Sequence, residues 1–511
     1  MSETKKEVAL SLKGLSKTFG KVKANSNVSM DIYKGEILSL LGENGSGKTT
    51  LMNMLAGIYY PDEGQIFKDG KEVKIRAPKD AYELGIGMVH QHFKLIDVLS
   101  ATENITLGES GKLNIKEASD KIRAICDKYG FEVDPDKKIY NMSVSEKQTV
   151  EIVKVLYRGA DLLILDEPTA VLTPQETEKL FNVMRNMRAD GKAIIIITHK
   201  LNEVQEISDR VAILRQGEYI GDLITANTNA QEMTNMMVGR QVELNIYRPD
   251  PIDRIERIKV DKLSVVDAEG IQKLKDISFT AYGGEILGIA GISGCGQKEL
   301  LEAIAGLQPV TEGSVKYIND DEEERELIGL DPRTITEMGI TLSFVPEDRL
   351  GMGLVANMDL ADNMMLRSFR SGSRLFTNRK EPYQKAEKIV RALEVKTPSI
   401  ETPVRKLSGG NVQKVLVGRE ISLTPSVLMT AYAVRGLDIN SSYAIYELIN
   451  QQKVRGVAVI FVGEDLDVLL QLSDRILVLC DGQVSGILDA RTTDKNTVGM
   501  LMTKLGGENN E

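Results

Sequence analysis

Eight consecutive residues, Gly42-Glu43-Asn44-Gly45-Ser46-Gly47-Lys48-Thr49, have the types and spacing of a loop that holds phosphate. Its glycines let the backbone curl so that successive N–H groups point inward at phosphate oxygens. A helix that starts at Lys48 turns its positive end on the same oxygens. Lys48 supplies a point charge to the β- and γ-phosphates, and the Thr49 hydroxyl, next to Thr50, can bind Mg²⁺. The flanks agree: Glu36 to Leu41 reads as a buried strand and Lys48 to Gly57 as a helix. A glycine-rich turn without a ligand is the plain alternative, and the strand–loop–helix context argues against it.

A second group with chemistry is Leu162-Leu163-Ile164-Leu165-Asp166-Glu167. Four apolar residues make a parallel strand buried on both faces. Asp166 at its tip can hold Mg²⁺ through water. Glu167 can polarise an attacking water as general base. With Lys48 upstream and Pro168-Thr169 immediately after, a merely solvated strand end is the weaker reading.

The same frame recurs downstream with its chemistry removed. Gly291-Ile292-Ser293-Gly294-Cys295-Gly296-Gln297-Lys298 keeps the glycines but puts Gln297 at the lysine and Lys298 at the hydroxyl. The copies align through Lys34-Gly35-Glu36-Ile37 with Gly283-Gly284-Glu285-Ile286, and Ser208-Asp209-Arg210 with Ser473-Asp474-Arg475. Anchoring on Arg435-Gly436-Leu437-Asp438 puts Ala431 at the metal aspartate and Tyr432 at the general base. Lys262 to Gly270 offers no aromatic matching Phe19. Glu464 falls at the position of His199, a carboxylate where the first copy has an imidazole. Glu347 lies near the position of Gln91.

The order Phe19, GENGSGKTT, His90-Gln91-His92, Met142-Ser143-Val144-Ser145-Glu146, LLILDEPTA and Ile197-Thr198-His199 resembles an ATP-binding-cassette (ABC) nucleotide-binding domain, twice over nearly the whole chain. The resemblance implies an α/β fold of two tandem P-loop ABC domains. Each would have a RecA-like core, an antiparallel β subdomain and a helical subdomain. The boundaries are 1–243 for the intact domain, 244–257 for a linker and 258–511 for the degenerate domain. By the same resemblance ATP and Mg²⁺ are the cofactors. Phe19 stacks on adenine, and Gly42, Asn44, Gly45, Ser46, Gly47, Lys48, Thr49 and Thr50 hold the phosphates. Gln91 contacts Mg²⁺ and the attacking water, and His199 holds the γ-phosphate. Metal contacts are Thr49, Gln91 and Asp166. The second signature, Leu407-Ser408-Gly409-Gly410-Asn411, is close to the family's LSGGQ. ABC domains pair head to tail, so the intact phosphate loop is expected to face Ser408, Gly409, Gly410 and Asn411. The decayed loop would face Ser143-Val144-Ser145-Glu146, which has itself lost both glycines.

The chain has 511 residues, enough for two or more cores, and a net charge of −10. That balance speaks against sequence-independent nucleic-acid binding, which wants a basic stripe. Three histidines and three scattered cysteines give no zinc spacing. The cysteine usage suggests a reducing compartment. Met1 to Leu10 has no apolar core of signal-peptide length, and no apolar run is long enough to span a bilayer. The expected location is the cytoplasmic face of the membrane, reached through partners.

The fused, asymmetric arrangement resembles the ATPases of simple-sugar and nucleoside importers. GMVHQHFKL (87–95) and ATENITLG (101–108) look most like the nucleoside branch, which is served by basic-membrane-protein-type binding lipoproteins. FVPEDR (344–349), the following GLV and the LSGGN signature are shared with the sugar branch. Two integral-membrane permease subunits and, indirectly, an extracytoplasmic substrate-binding lipoprotein are the implied partners. A nucleoside is the expected cargo, with ribose or galactose as the alternative. A soluble tandem-ABC translation factor is disfavoured by the short linker and spent second site. A DNA-repair ATPase is disfavoured by the lack of zinc-binding cysteine pairs, and a non-hydrolysing sensor by Glu167.

Overall fold

The computed structural model describes residues 7–503 except 21, 91–92, 109–113, 171, 199, 242–244, 252–253, 268, 293, 345–352, 367–378, 422–424, 436 and 464. The chain divides into two compact units, residues 1–243 and 244–511.

In the first unit the apolar runs become the interior strands of a six-stranded sheet. Its order is Glu218–Ile224, Arg210–Arg215, Ile37–Leu41, Ala193–Ile197, Leu162–Asp166, Ile86–Val89. All pairs are parallel except the hairpin of Arg210–Arg215 with Glu218–Ile224. Every residue of Ile37–Leu41 and of Ala193–Ile197 is buried. Each apolar side chain so buried contributes roughly 1.5–3 kcal/mol of hydrophobic stabilisation. Because the strands run parallel, the residues after Leu41, Ile197, Asp166 and Val89 leave the sheet at one edge, where open α/β sheets bind ligands.

A second, antiparallel sheet has the order Val22–Tyr33, Val8–Phe19, Glu63–Lys68, Lys71–Val73. Three helices, Ala101–Thr106, Ile115–Tyr129 and Val144–Tyr157, close on their own apolar cluster, including Ile105, Ile122, Ile139, Val150 and Val153. Core, antiparallel sheet and helical layer are the three parts the sequence resemblance implies.

The second unit repeats this plan. Its central order is Ile340–Phe344, Val427–Ala431, Ala458–Val462, Ile286–Ala290, Arg475–Cys480, Gln483–Asp489. The duplicated Glu-Ile and Ser-Asp-Arg motifs close the base of each sheet. Arg210 reaches both carboxylate oxygens of Glu36 at 3.0 Å, and Asp209 accepts the Ile37 N–H at 2.9 Å. Arg475 gives two donors to the single oxygen Oε1 of Glu285, at 2.9 and 2.7 Å, and Asp474 accepts the Ile286 N–H at 2.9 Å. These pairs are buried architecture in both copies.

The stretch read as a linker is grouped with the second unit. Ile246 is buried in that unit's core, and Arg248 donates to Leu470 O at 3.0 Å. Asn450 donates to Tyr247 O at 2.7 Å, and the strand Glu256–Val266 already begins two residues before position 258.

Candidate active site

The phosphate loop of the first unit is held by contacts a side chain could not replace. Gly47 has φ 95° and stands as the N-cap of the helix Lys48–Leu55; a Cβ there would strike Ala24 O. A Cβ on Gly42 would strike Leu214 O and Ser46 Oγ. Asn25, fully buried on the neighbouring strand, donates to Gly47 O at 3.3 Å. Lys48 is buried and folds back on its own loop, donating to Gly42 O at 2.6 Å and Glu43 O at 3.0 Å. Burial pushes its ammonium below the ordinary range, opposed by Glu167, Asp166 and Glu43. Ser46 Oγ is buried with no hydrogen-bond partner among the described residues, an acceptor-seeking hydroxyl where phosphate is expected. Asn44, Gly45 and Thr49 are exposed and Thr50 is half-buried.

Asp166 ends its strand and Glu167 turns away from it with φ 52°, in the left-handed region. The Glu167 N–H is fixed on Ile197 O at 2.9 Å. Burial first, and the neighbouring Glu167 second, push the Asp166 carboxyl up to about 6, while Lys48 pulls it down. A divalent cation at this edge would relieve the crowding of the two carboxylates, so the donor set fits Mg²⁺. Among the described residues no group of three or more His, Cys, Asp or Glu could hold a metal by itself.

The second unit keeps the shape of this site with different chemistry. Gly296 has φ 98° and opens the helix Gln297–Ile304, as Gly47 opens its own. Gln297 is buried and donates to Ile292 O at 3.0 Å, the counterpart of the Lys48 bond to Glu43 O. The amide therefore does the lysine's structural task without its charge. Tyr432 has φ 57°, and its N–H donates to Val462 O at 3.1 Å, as Glu167 does to Ile197 O. This backbone match puts Ala431, fully buried, at the place of Asp166.

The two signatures differ at their helix ends. In the first unit Ser143 caps Val144–Tyr157, and Glu146 reaches back to the Ser143 N–H at 2.7 Å while pairing with Lys137 at 2.6 Å. A carboxylate of the chain itself thus occupies that positive end. The helix Gly409–Ile421 has no acid in its first turn. Ser408 and Gly409 are exposed, and Asn411 donates to Ser408 Oγ at 2.8 Å. This end suits an anion from outside.

Phe19 is 42% exposed and meets Tyr59 edge to face, with ring centroids 5.1 Å apart. Lys17 sits 5.7 Å from the Phe19 ring and pairs with Asp62 at 2.7 Å. In the second unit Lys17 and its strand partner Asn25 are matched in register by Val265 and Leu274. Two residues on, Asp267 stands for Phe19. Gln308 stands for Tyr59, since their N–H groups bond Glu302 O and Asn53 O at matching helix ends. Both rings are gone from the decayed copy.

Gln91, His92, His199, Glu347 and Glu464 lie outside the described residues. The strands Ile86–Val89 and Ala193–Ile197 end at the same sheet edge as Leu41 and Asp166. Sequence reasoning missed Asn25 and Tyr59. The aromatic pair Tyr59-Tyr60 just past the loop helix was the available signal for the second; Asn25 gave none. It also missed three polar residues behind Glu167. Thr169 donates to Glu203, and Lys200 bonds Thr169 O at 3.0 Å and Glu203 at 3.1 Å.

The family described as ABC transporter matches residues 25–170 and 274–430. The chain is 40% identical over 97% of its length, and 97% of the relative's, to the guanosine import ATP-binding protein NupO of Bacillus subtilis (strain 168). It is 38% identical, over 94% of both chains, to the ribose import ATP-binding protein RbsA of Clostridium tetani (strain Massachusetts / E88). A solved structure of an RNase-L Inhibitor superposes with TM-score 0.62 at 17% identity, covering 94% of this chain and 91% of that one. That likeness shows the fold alone.

Proposed function

The chain belongs to the ABC transporter family, and on that premise we propose that it is the ATP-hydrolysing subunit of an importer for nucleosides. One observation carries the hydrolytic half of this reading. Lys48, Asp166 and Glu167 stand together in one unit, while Gln297, Ala431 and Tyr432 hold the same backbone positions in the other.

In this reading the first unit binds ATP through the loop N–H groups, Lys48 and Ser46, with adenine against Phe19 and Tyr59. Mg²⁺ bound by Thr49, Asp166 and Gln91 would neutralise charge on the β- and γ-phosphates. Glu167 takes the proton of the attacking water as its oxygen bonds the γ-phosphorus and ADP leaves. His199 holds the γ-phosphate. Of the two signatures, Ser408, Gly409, Gly410 and Asn411 keep the open helix end that an anion from outside would use.

Among the described residues no helix is long and apolar enough to cross a membrane. Two permease subunits would therefore carry the cargo and hold this chain at the cytoplasmic face, with a binding lipoprotein on the far side. NupO, whose name gives guanosine, favours a nucleoside; RbsA, whose name gives ribose, favours a simple sugar as the second reading. Uptake of labelled purine nucleosides, pyrimidine nucleosides, ribose and galactose after deletion of the gene tests this. Nucleoside uptake should collapse and return with the parent chain but not with Glu167→Gln. Unchanged nucleoside uptake beside lost ribose or galactose uptake would move the protein to the sugar branch.

A further inference from the structure

The turn behind Glu167 is clamped from two sides in the first unit. One clamp comes from the signature helix and recurs in the second unit. Gln148, buried, donates to Pro168 O, and Gln413, buried, donates to Ala433 O at 2.9 Å in the other unit. The second clamp is made by three polar side chains that the second unit replaces. Thr169 is 2% exposed and donates to the Glu203 carboxylate. Lys200, the residue after His199, donates to Thr169 O at 3.0 Å and pairs with Glu203 at 3.1 Å. The turn folds back on itself through Ala170 N–H to Glu167 O at 3.3 Å and Leu172 N–H to Thr169 O at 3.4 Å. Holding Thr169 therefore holds the turn from which Glu167 projects.

The second unit shows what the fold alone requires here. Val434 stands at Thr169, Asp465 at Lys200 and Val468 at Glu203. Both valines pack against the unit's apolar cluster, and Tyr432 keeps its left-handed φ with none of these three polar side chains in the second unit. So the backbone turn does not need the three polar residues.

The first unit even accepts a local cost to have them. Lys200 is the N-cap of Leu201–Ile207 with no side-chain capping bond, and a cation is unfavourable at a helix N-terminus. Asp465 at the same place caps Leu466–Leu472 by accepting the Asp467 N–H at 2.9 Å. A broken local rule without a folding benefit points to function.

We propose that Lys200 and Glu203 are positioning residues for Glu167: they clamp Thr169 and fix the turn that carries the general base. The inference rests on the first unit being the hydrolysing one. The clamp lies on the peptide beside the carboxylate, and its bonds run among Thr169, Lys200 and Glu203, whereas those of Lys48 go to Gly42 O and Glu43 O in the phosphate loop. It acts on the orientation of the base toward water, which enters the chemical step alone.

The test uses the full chain carrying Thr169→Val, Lys200→Asp and Glu203→Val together, the set the second unit already folds with. Turnover at saturating ATP should fall about tenfold or more, with KM, affinity for a non-hydrolysable ATP analogue and melting temperature close to the parent's. Thr169→Ser, which keeps the hydroxyl donor, should keep the parent's turnover. Unchanged turnover in the triple variant overturns the proposal. So does a loss of affinity and melting temperature in step with turnover, which marks a structural role. Glu167→Gln, measured alongside, separates the two readings. If it too leaves turnover intact, the assignment of the first unit fails; if it alone abolishes turnover, only the clamp fails.

Discussion

Glu167 and Tyr432 hold one backbone position in the two units: φ 52° and 57°, each N–H bonded to the last residue of the neighbouring strand, Ile197 O at 2.9 Å and Val462 O at 3.1 Å. One backbone turn carries a carboxylate in the first unit and a phenol in the second. A left-handed φ is uncommon for residues other than glycine, so its retention by a tyrosine reflects the turn and not the side chain.

This equivalence predicts unequal mutants. Glu167→Gln should lower ATP turnover roughly 100-fold or more while ATP still binds. Tyr432→Phe should leave turnover within about twofold. Steady-state hydrolysis by the full chain, paired with equilibrium ATP binding, decides it. Equal losses from the two substitutions would sink the asymmetry.

Asp166 makes a pH prediction. Its carboxyl is pushed up from 3.8 to about 6 by burial and by Glu167. A folded pKa above the unfolded one means the stabilising contribution is fully present below pH 3.8 and lost as pH rises through about 6. Asp166→Asn keeps the neutral form at every pH. Without Mg²⁺ the variant should melt a few degrees above the parent near about pH 7.5, and the gap should narrow toward about pH 5. Mg²⁺-dependent hydrolysis should be lost. A melting gap that does not change with pH would show that burial of this carboxylate is not what sets it.

The helix ends predict a contrast between the signatures. Gly409→Asp places a carboxylate in the first turn of Gly409–Ile421, where it favours the helix and repels phosphate. It should abolish permease-stimulated hydrolysis with no loss of thermal stability. Val144→Asp, at the end already closed by Glu146, should be much milder. Stimulated ATPase of the assembled transporter is the measurement, and the reverse ranking would mean that the open helix end at Gly409 is not the one hydrolysis needs.

The aromatic pair predicts a binding defect without a chemical one. Phe19→Ala removes the exposed ring that meets Tyr59 at 5.1 Å. ATP affinity should fall about three- to tenfold, with turnover at saturation unchanged. Fluorescent-nucleotide titration beside saturating kinetics checks this. A fall in saturated turnover with unaltered affinity would place adenine elsewhere.

The sequence by itself determined the duplication, the α/β cores and the division of chemistry between copies. Those signals are local: glycine spacing before Lys48, four apolar residues before Asp166, and the residue-for-residue loss at Gln297, Ala431 and Tyr432. Each lies within one strand–turn or loop–helix segment, where period and residue type dictate the backbone. The tertiary structure decided what the motifs touch. Asn25 reaches Gly47 across 22 residues, Phe19 meets Tyr59 across 40, and Thr169 meets Glu203 across 34. Ile246 joining the second unit's core belongs with them. Such contacts depend on which strand ends, loops and sheets the fold brings together, and a pair formed between distant segments leaves no periodic trace in either partner's own segment.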